Sequence, residues 1–230
     1  HQQERVADCL KLIGIVYKNQ GRIDEALVQY QKALEVYLVV SYGQEGADVA
    51  DCYANIGNAY TLQERHREAL VQHQKALEVY QSVFGPEDER VAKCYDVIGI
   101  SYRRLGRYEE ALVQYQKARE VFLGLHGHEH LVIAVGYQNT GNVLSDMGRH
   151  EDALEMISKA LDIRISILGD DHPILAETYY GIGAQHLYQG KAAQAIEMFT
   201  KACEIQLKVQ GPDHPRTKEM LFLLSQLGKQ

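Results

Sequence analysis

The sequence predicts an all-α solenoid of antiparallel helix pairs, and three observations carry that prediction. One helical phrase recurs: "EALVQYQKALEVY" at 25–37 returns as "EALVQHQKALEVY" at 68–80 and "EALVQYQKAREVF" at 110–122. Weaker copies follow as "DALEMISKALDIR" at 152–164 and "QAIEMFTKACEIQ" at 194–206. Two sets of glycines keep one period. Gly14, Gly57, Gly99, Gly141 and Gly183 are spaced 43, 42, 42 and 42 residues apart, and Gly43, Gly85, Gly127, Gly169 and Gly211 are spaced 42 throughout. The composition, 46% hydrophobic and 24% charged with helix formers dominant, is that of a folded helical chain. Self-similarity at a fixed period of a few tens of residues marks a repeat array, whose units bury their apolar faces against each other.

The elements follow from the repeat. First helices are expected near 4–19, 47–62, 88–104, 130–146 and 172–188, and second helices near 22–41, 65–83, 107–125, 149–167 and 191–209. Five units result, approximately 1–43, 44–85, 86–127, 128–169 and 170–211 (1–210 in all), with 212–230 a C-terminal capping helix or a truncated sixth repeat. The one extra residue falls just before Gly43. Between units the loops read "GPEDE", "GHEHL", "GDDHP" and "GPDHP". Gly should end a helix in the left-handed conformation, Asp or His should cap the next, and Pro173 or Pro215 should open it. The last helix, near 215–227, carries "MLFLLSQL" and is apolar enough to pack on the pair before it.

Within a repeat the offsets are fixed: Gly14, Tyr17, Ala26, Tyr30 and Ala33 return as Gly99, Tyr102, Ala111, Tyr115 and Ala118. Small residues let two helices approach closely, and the aromatics fill the space beside them. This pattern is that of the tetratricopeptide repeat (TPR). The 42-residue length with a G-x-D-H-P loop resembles the TPR domain of kinesin light chains, and "NIGN" (55–58) and "NTGN" (139–142) resemble the Asn-Leu-Gly-Asn repeats of spindle-orientation adaptors. The resemblance covers essentially the whole chain. It implies a right-handed superhelix with a concave groove lined by first helices, and a cytoplasmic scaffold or cargo-adaptor-like function in which a partner peptide or helix lies in that groove.

Bulk properties exclude several alternatives. Net charge is −7, without the basic surplus of a duplex nucleic-acid binder. No apolar run approaches the roughly 18 residues of a membrane span. The chain begins with His1 rather than Met and reads as a piece of a longer protein. Four scattered cysteines without CxxC point to reduced thiols. Cys9, Cys52 and Cys94 share one repeat position, expected to be a buried packing slot. "LHGHEH" at 125–130 brings His126, His128 and His130 together, and a metal site would need them to converge with a ligand such as Glu129. In register with its sister loops, however, His130 stands where Asp88, His172 and His214 stand, which reads as a cap. No catalytic motif, metal site or cofactor site is expected.

In TPR domains the first helix presents positions −6, −3, −2, +1, +4 and +5, counted from the repeat glycine, to the concave face. Those positions hold Lys11 and Lys18 in the first repeat, Asn55 and Asn58 in the second, and Lys93, Asp96, Arg103 and Arg104 in the third. The fourth supplies Gln138, Asn139 and Asn142, and the fifth Tyr180, Leu187 and Tyr188. Asparagine amides can both donate to and accept from an extended backbone. Lys93, Arg103 and Arg104 would make a basic spot for carboxylates. Tyr180 and Tyr188 would hold apolar side chains. Self-association, or docking within a longer chain as a sensor arm, is the alternative, carried by the near-identical second helices and the apolar last helix.

Overall fold

The computed structural model describes residues 2–41 and 46–227; the extra residue before Gly43 lies outside them. Every described element is a helix. In the first compact unit, His1–Leu125, these are α1 (Gln2–Asn19), α2 (Ile23–Val40), α3 (Ala47–Leu62), α4 (His66–Phe84), α5 (Glu89–Arg104) and α6 (Tyr108–His126, its last residue past the unit's edge). The second, His126–Gln230, holds α7 (Leu131–Asp146), α8 (His150–Leu168), α9 (Ile174–Tyr188), α10 (Ala192–Gln210) and α11 (Pro215–Leu227). Each boundary falls within about two residues of its sequence expectation, the usual scatter of helix ends. In the first unit α1 packs on α2, α2 on α3, α3 on α4 and α4 on α5; in the second α7 packs on α8, α8 on α9, α9 on α10 and α10 on α11.

The glycine at the centre of each first helix explains the close approach within a pair. A Cβ built on Gly14 would lie 2.5 Å from the Tyr30 ring, on Gly57 2.5 Å from His73, on Gly99 2.7 Å from Tyr115, on Gly141 2.6 Å from Ile157, and on Gly183 2.7 Å from Phe199. Each facing side chain is almost wholly buried. Burying a ring of this size contributes about 2–3 kcal/mol, so the missing Cβ is a condition of the packing. Alanines 26, 33, 69, 76, 111, 118, 153, 160, 195 and 202 carry the second helices against the first with essentially no exposure.

The loops cap as the register predicts. Asp88 accepts from the Arg90 backbone N–H at 2.8 Å, and His130, His172 and His214 accept through Nδ1 from the N–H two residues on, each at 3.3 Å. Pro215 opens α11, and Pro173 precedes α9 with helical φ. One expectation needs correction. Gly85, Gly169 and Gly211 have φ between 78° and 85° but ψ near 170°, so they are not left-handed helical. They occupy an extended mirror region open essentially to glycine alone, because the chain must leave the helix outstretched after a single i→i−4 bond.

The turn inside each pair is the left-handed one. Gly21, Gly106, Gly148 and Gly190 have φ of 72–76°, but the second repeat places Glu64 there at φ 59°. A residue with a Cβ is strained in that conformation by about 1 kcal/mol. Glu64→Gly is therefore expected to raise stability by about 0.5–1 kcal/mol in urea denaturation, and a loss of stability would contradict the strain. The following arginine completes the turn. Arg22 lies 4.3 Å above the Tyr17 ring and bonds Glu25, Arg65 repeats this with Tyr60 and Glu68, and Arg107 with Tyr102 and Glu110.

Candidate binding face

The first-helix positions divide on inspection of their partners. In the first unit Lys11 donates to Asp48 at 2.9 Å and lies 3.5 Å from Asp51, tying α1 to α3. Burial alone would lower its pKa, but the Asp48 bond and the two carboxylate charges outweigh this and raise it. Lys18 is half-buried in the last turn of α1. Asn58 stands with its Oδ1 3.2 Å from His73 Nε2, so its amide is committed to α4. Asn55, one turn earlier and half-buried, makes no hydrogen bond among the described residues.

The second unit repeats the division. Asn142 accepts from Gln138 Nε2 at 3.2 Å, and Gln138 Oε1 accepts from Arg164 at 3.0 Å. Asn139 matches Asn55: half-buried, on the same side of its helix, with no hydrogen bond among the described residues. The Oδ1 of each +1 asparagine is thus hydrogen-bonded within the fold, and the −2 asparagines make no such bond among the described residues. Sequence position alone does not separate the two, because each +1 amide meets a side chain that the repeat register does not specify.

The basic spot of the third repeat is corrected. Ten residues of helix separate Lys93 from Arg103, which at 1.5 Å per residue is about 15 Å. Lys93 is also paired with Glu89 at 2.7 Å. Arg103 and Arg104 stay together in the last turn of α5. Between these cations lies Asp96, whose Oδ1 is buried without a partner among the described residues and whose pKa burial pushes up to about 7.

In the second unit Tyr180 is 43% and Phe222 66% exposed, and both line a cleft of about 600 Å³ with Met220 and Leu223. Glu177 and Arg216, paired at 2.8 Å, stand at its side. Tyr188 lays one face on the His150 ring, 4.7 Å between centroids, and keeps the rest in solvent at 68% exposure. The sequence reading missed Phe222, because the glycine that fixes the register is Ser225 in α11.

Cys52 and Cys94 are buried, and burial pushes both thiols up to about 12. Cys9 departs from that expectation: it is exposed, since no described helix covers that side of α1. His126 and His130 stack at 4.3 Å, and no cluster of three potential metal ligands occurs among the described residues. No described helix is long and apolar enough to cross a membrane.

Helix pairs in 42-residue register, each closed by a glycine against a large side chain, define a helical-repeat protein. The family model described as tetratricopeptide repeat matches residues 3–82, 48–124, 97–164 and 132–208, and the chain belongs to that family. Its structure is similar to that of BtubC (BKLC) from P. vanneervenii, with a TM-score of 0.79 at 22% identity over 93% of this chain and 84% of that one. It is also similar to the nearly identical TPR-like repeats of a putative kinesin light chain from Podosopora anserina, with 0.74 at 14% identity over 90% and 98%. YrrB, described as a TPR protein with an unusual peptide-binding site, gives 0.58 at 22% identity over 96% and 91%. At these identities the likeness is one of fold. No curated protein matches the sequence.

Proposed function

We propose that this chain is a protein-interaction scaffold whose first helices hold a peptide or helix of a partner protein. The observation that carries the reading is the pair Asn55 and Asn139. Both occupy the same repeat position, both are half-buried, and neither has a hydrogen bond among the described residues. Partly buried amides normally find partners within the protein, so an amide with open valences at the same repeat position of each unit supports contact with a ligand's backbone. The cleft beside Tyr180 and Phe222 supports it, since large exposed apolar side chains mark interaction surfaces. Arg103 and Arg104 would add attraction for acidic side chains, and Lys18 a further cation. Adaptor function and a cytoplasmic location belong to the same proposal.

Peptides selected from a random library on the intact chain test it by isothermal titration. Asn55→Ala and Asn139→Ala are each expected to weaken binding about tenfold, the value of one well-made hydrogen bond, without lowering the melting temperature. Binding equal to wild type in the double variant would refute the assignment.

A further inference from the structure

Arg164 fills a slot that its sister repeats give to other side chains. Tyr37, Tyr80 and Phe122 stand at the same position in α2, α4 and α6, and Gln206 in α10, all buried. Tyr37 and Tyr80 turn their hydroxyls to Asp8 and Asp51 of their own first helices at 2.5 Å. In the fourth repeat the residue opposite is Val135, which offers no acceptor. Arg164 is 6% exposed, and its Nη1 donates to Gln138 Oε1 on α7 at 3.0 Å and to Thr178 Oγ1 on α9. No carboxylate pairs with it among the described residues. Glu177, next to Thr178, is engaged by Arg216. Burial pushes the guanidinium below its ordinary pKa, with the negative charge of Glu177 opposing.

A buried cation without a counter-ion is costly, and a guanidinium offers five N–H donors in a rigid fork. Among the described residues only Nη1 makes a hydrogen bond. The Gln138 amide that steers it is itself fixed, since its Nε2 is held by Asn142. We infer that Arg164 is the receptor for a carboxylate of the bound partner, an Asp or Glu side chain entering between α7 and α9 to complete the fork. A fork–carboxylate pair is bidentate and directional, unlike long-range attraction to the arginines in the last turn of α5. The inference rests on the peptide-binding reading above and adds the chemistry of the ligand.

The test uses the library-selected peptides, each synthesised with its acidic residues and with Asn or Gln in their place. They are titrated against wild type, Arg164→Met and Arg164→Tyr, the last restoring the side chain of the first two repeats. On wild type, one acid-to-amide change is expected to raise Kd at least tenfold, and on both variants less than twofold. Both variants are expected to melt at or above the wild-type temperature, because an unpaired buried charge has been removed. An equal loss on wild type and variants, or binders that ignore acids altogether, would overturn the role of Arg164 and leave the asparagine assignment standing. A selection that returns no binder would overturn both.

Discussion

Gly99→Ala is expected to lower stability by about 1–2 kcal/mol, the overpacking cost less the helical gain. The new Cβ would sit 2.7 Å from Cε1 and 2.9 Å from Cδ1 of Tyr115, a ring that is 1% exposed and has nowhere to move. Overpacking of a tight interior forces side chains off their rotamers or helices apart, typically at about 1–3 kcal/mol. The usual gain from replacing a helical glycine by alanine, about 1 kcal/mol, works against that and is outweighed. Gly124 in α6 supplies the control. Nothing lies within 4 Å of a Cβ built there, so Gly124→Ala should stabilise. Urea denaturation of the two variants should move in opposite directions, and Tyr115→Leu in the Gly99→Ala background should recover part of the loss. A Gly99→Ala protein as stable as wild type would mean that the pair separates freely, and the glycine lock would then have no energetic content.

The second large effect concerns acid. His73 replaces the tyrosine of the first and third repeats, is 1% exposed, and burial pushes its pKa down from 6.5 to about 4. Its folded pKa is depressed, so the unfolded chain takes up the proton first. Its contribution is present above pH 6.5 and is lost as pH falls to 4. Each tenfold difference in proton affinity between the folded and unfolded chain is worth about 1.4 kcal/mol, so the whole amounts to about 3 kcal/mol. Asp96, in the same unit, has the opposite sign. Burial raises its pKa from 3.8 to about 7. Stability from this group is full below pH 3.8 and is lost as pH rises through 7, by up to about 4 kcal/mol.

Over pH 4 to 6.5 the two slopes oppose each other, and each variant should unmask the remaining one. Relative to wild type, His73→Tyr should become progressively less stable as pH rises from 4 to 6.5. Asp96→Asn should become progressively less stable as pH falls across the same window, while gaining stability at about pH 8. Denaturation midpoints at half-unit intervals would show it. Variants whose pH profiles run parallel to wild type would contradict both buried-group assignments.

Most of the fold was legible because its determinants are local and repeated. A glycine facing a large buried side chain, an aspartate or histidine ahead of a helix, and an alanine stripe each mean the same thing wherever they recur, so the repeats check one another. The candidate binding face was legible only as a set of positions. Asn55 and Asn58 look alike in sequence, yet His73 engages one and not the other. Lys11 reads as a groove cation but is held by Asp48 and Asp51. Repeat membership groups Lys93 with Arg103 and ignores the rise of the helix between them. Arg164 escapes a reading that treats second helices as backing, although its charge stands in a column otherwise filled by Tyr, Phe and Gln. In each case the missing information was a neighbour distant in sequence.

The glycine lock also bears on how such a chain can change over generations. Every described contact that closes a pair lies within one 42-residue period, and those joining pairs link a period to the next. Duplicating or deleting one whole period would present each flank with a partner of the same kind, whereas removing a few residues would put that period's lock and its junctions out of register. The near-identical stretches at 25–37, 68–80 and 110–122 show one unit recurring at that length. Copy number is thus the variable most open to drift, and a surface built on such repeats lengthens or shortens in whole steps.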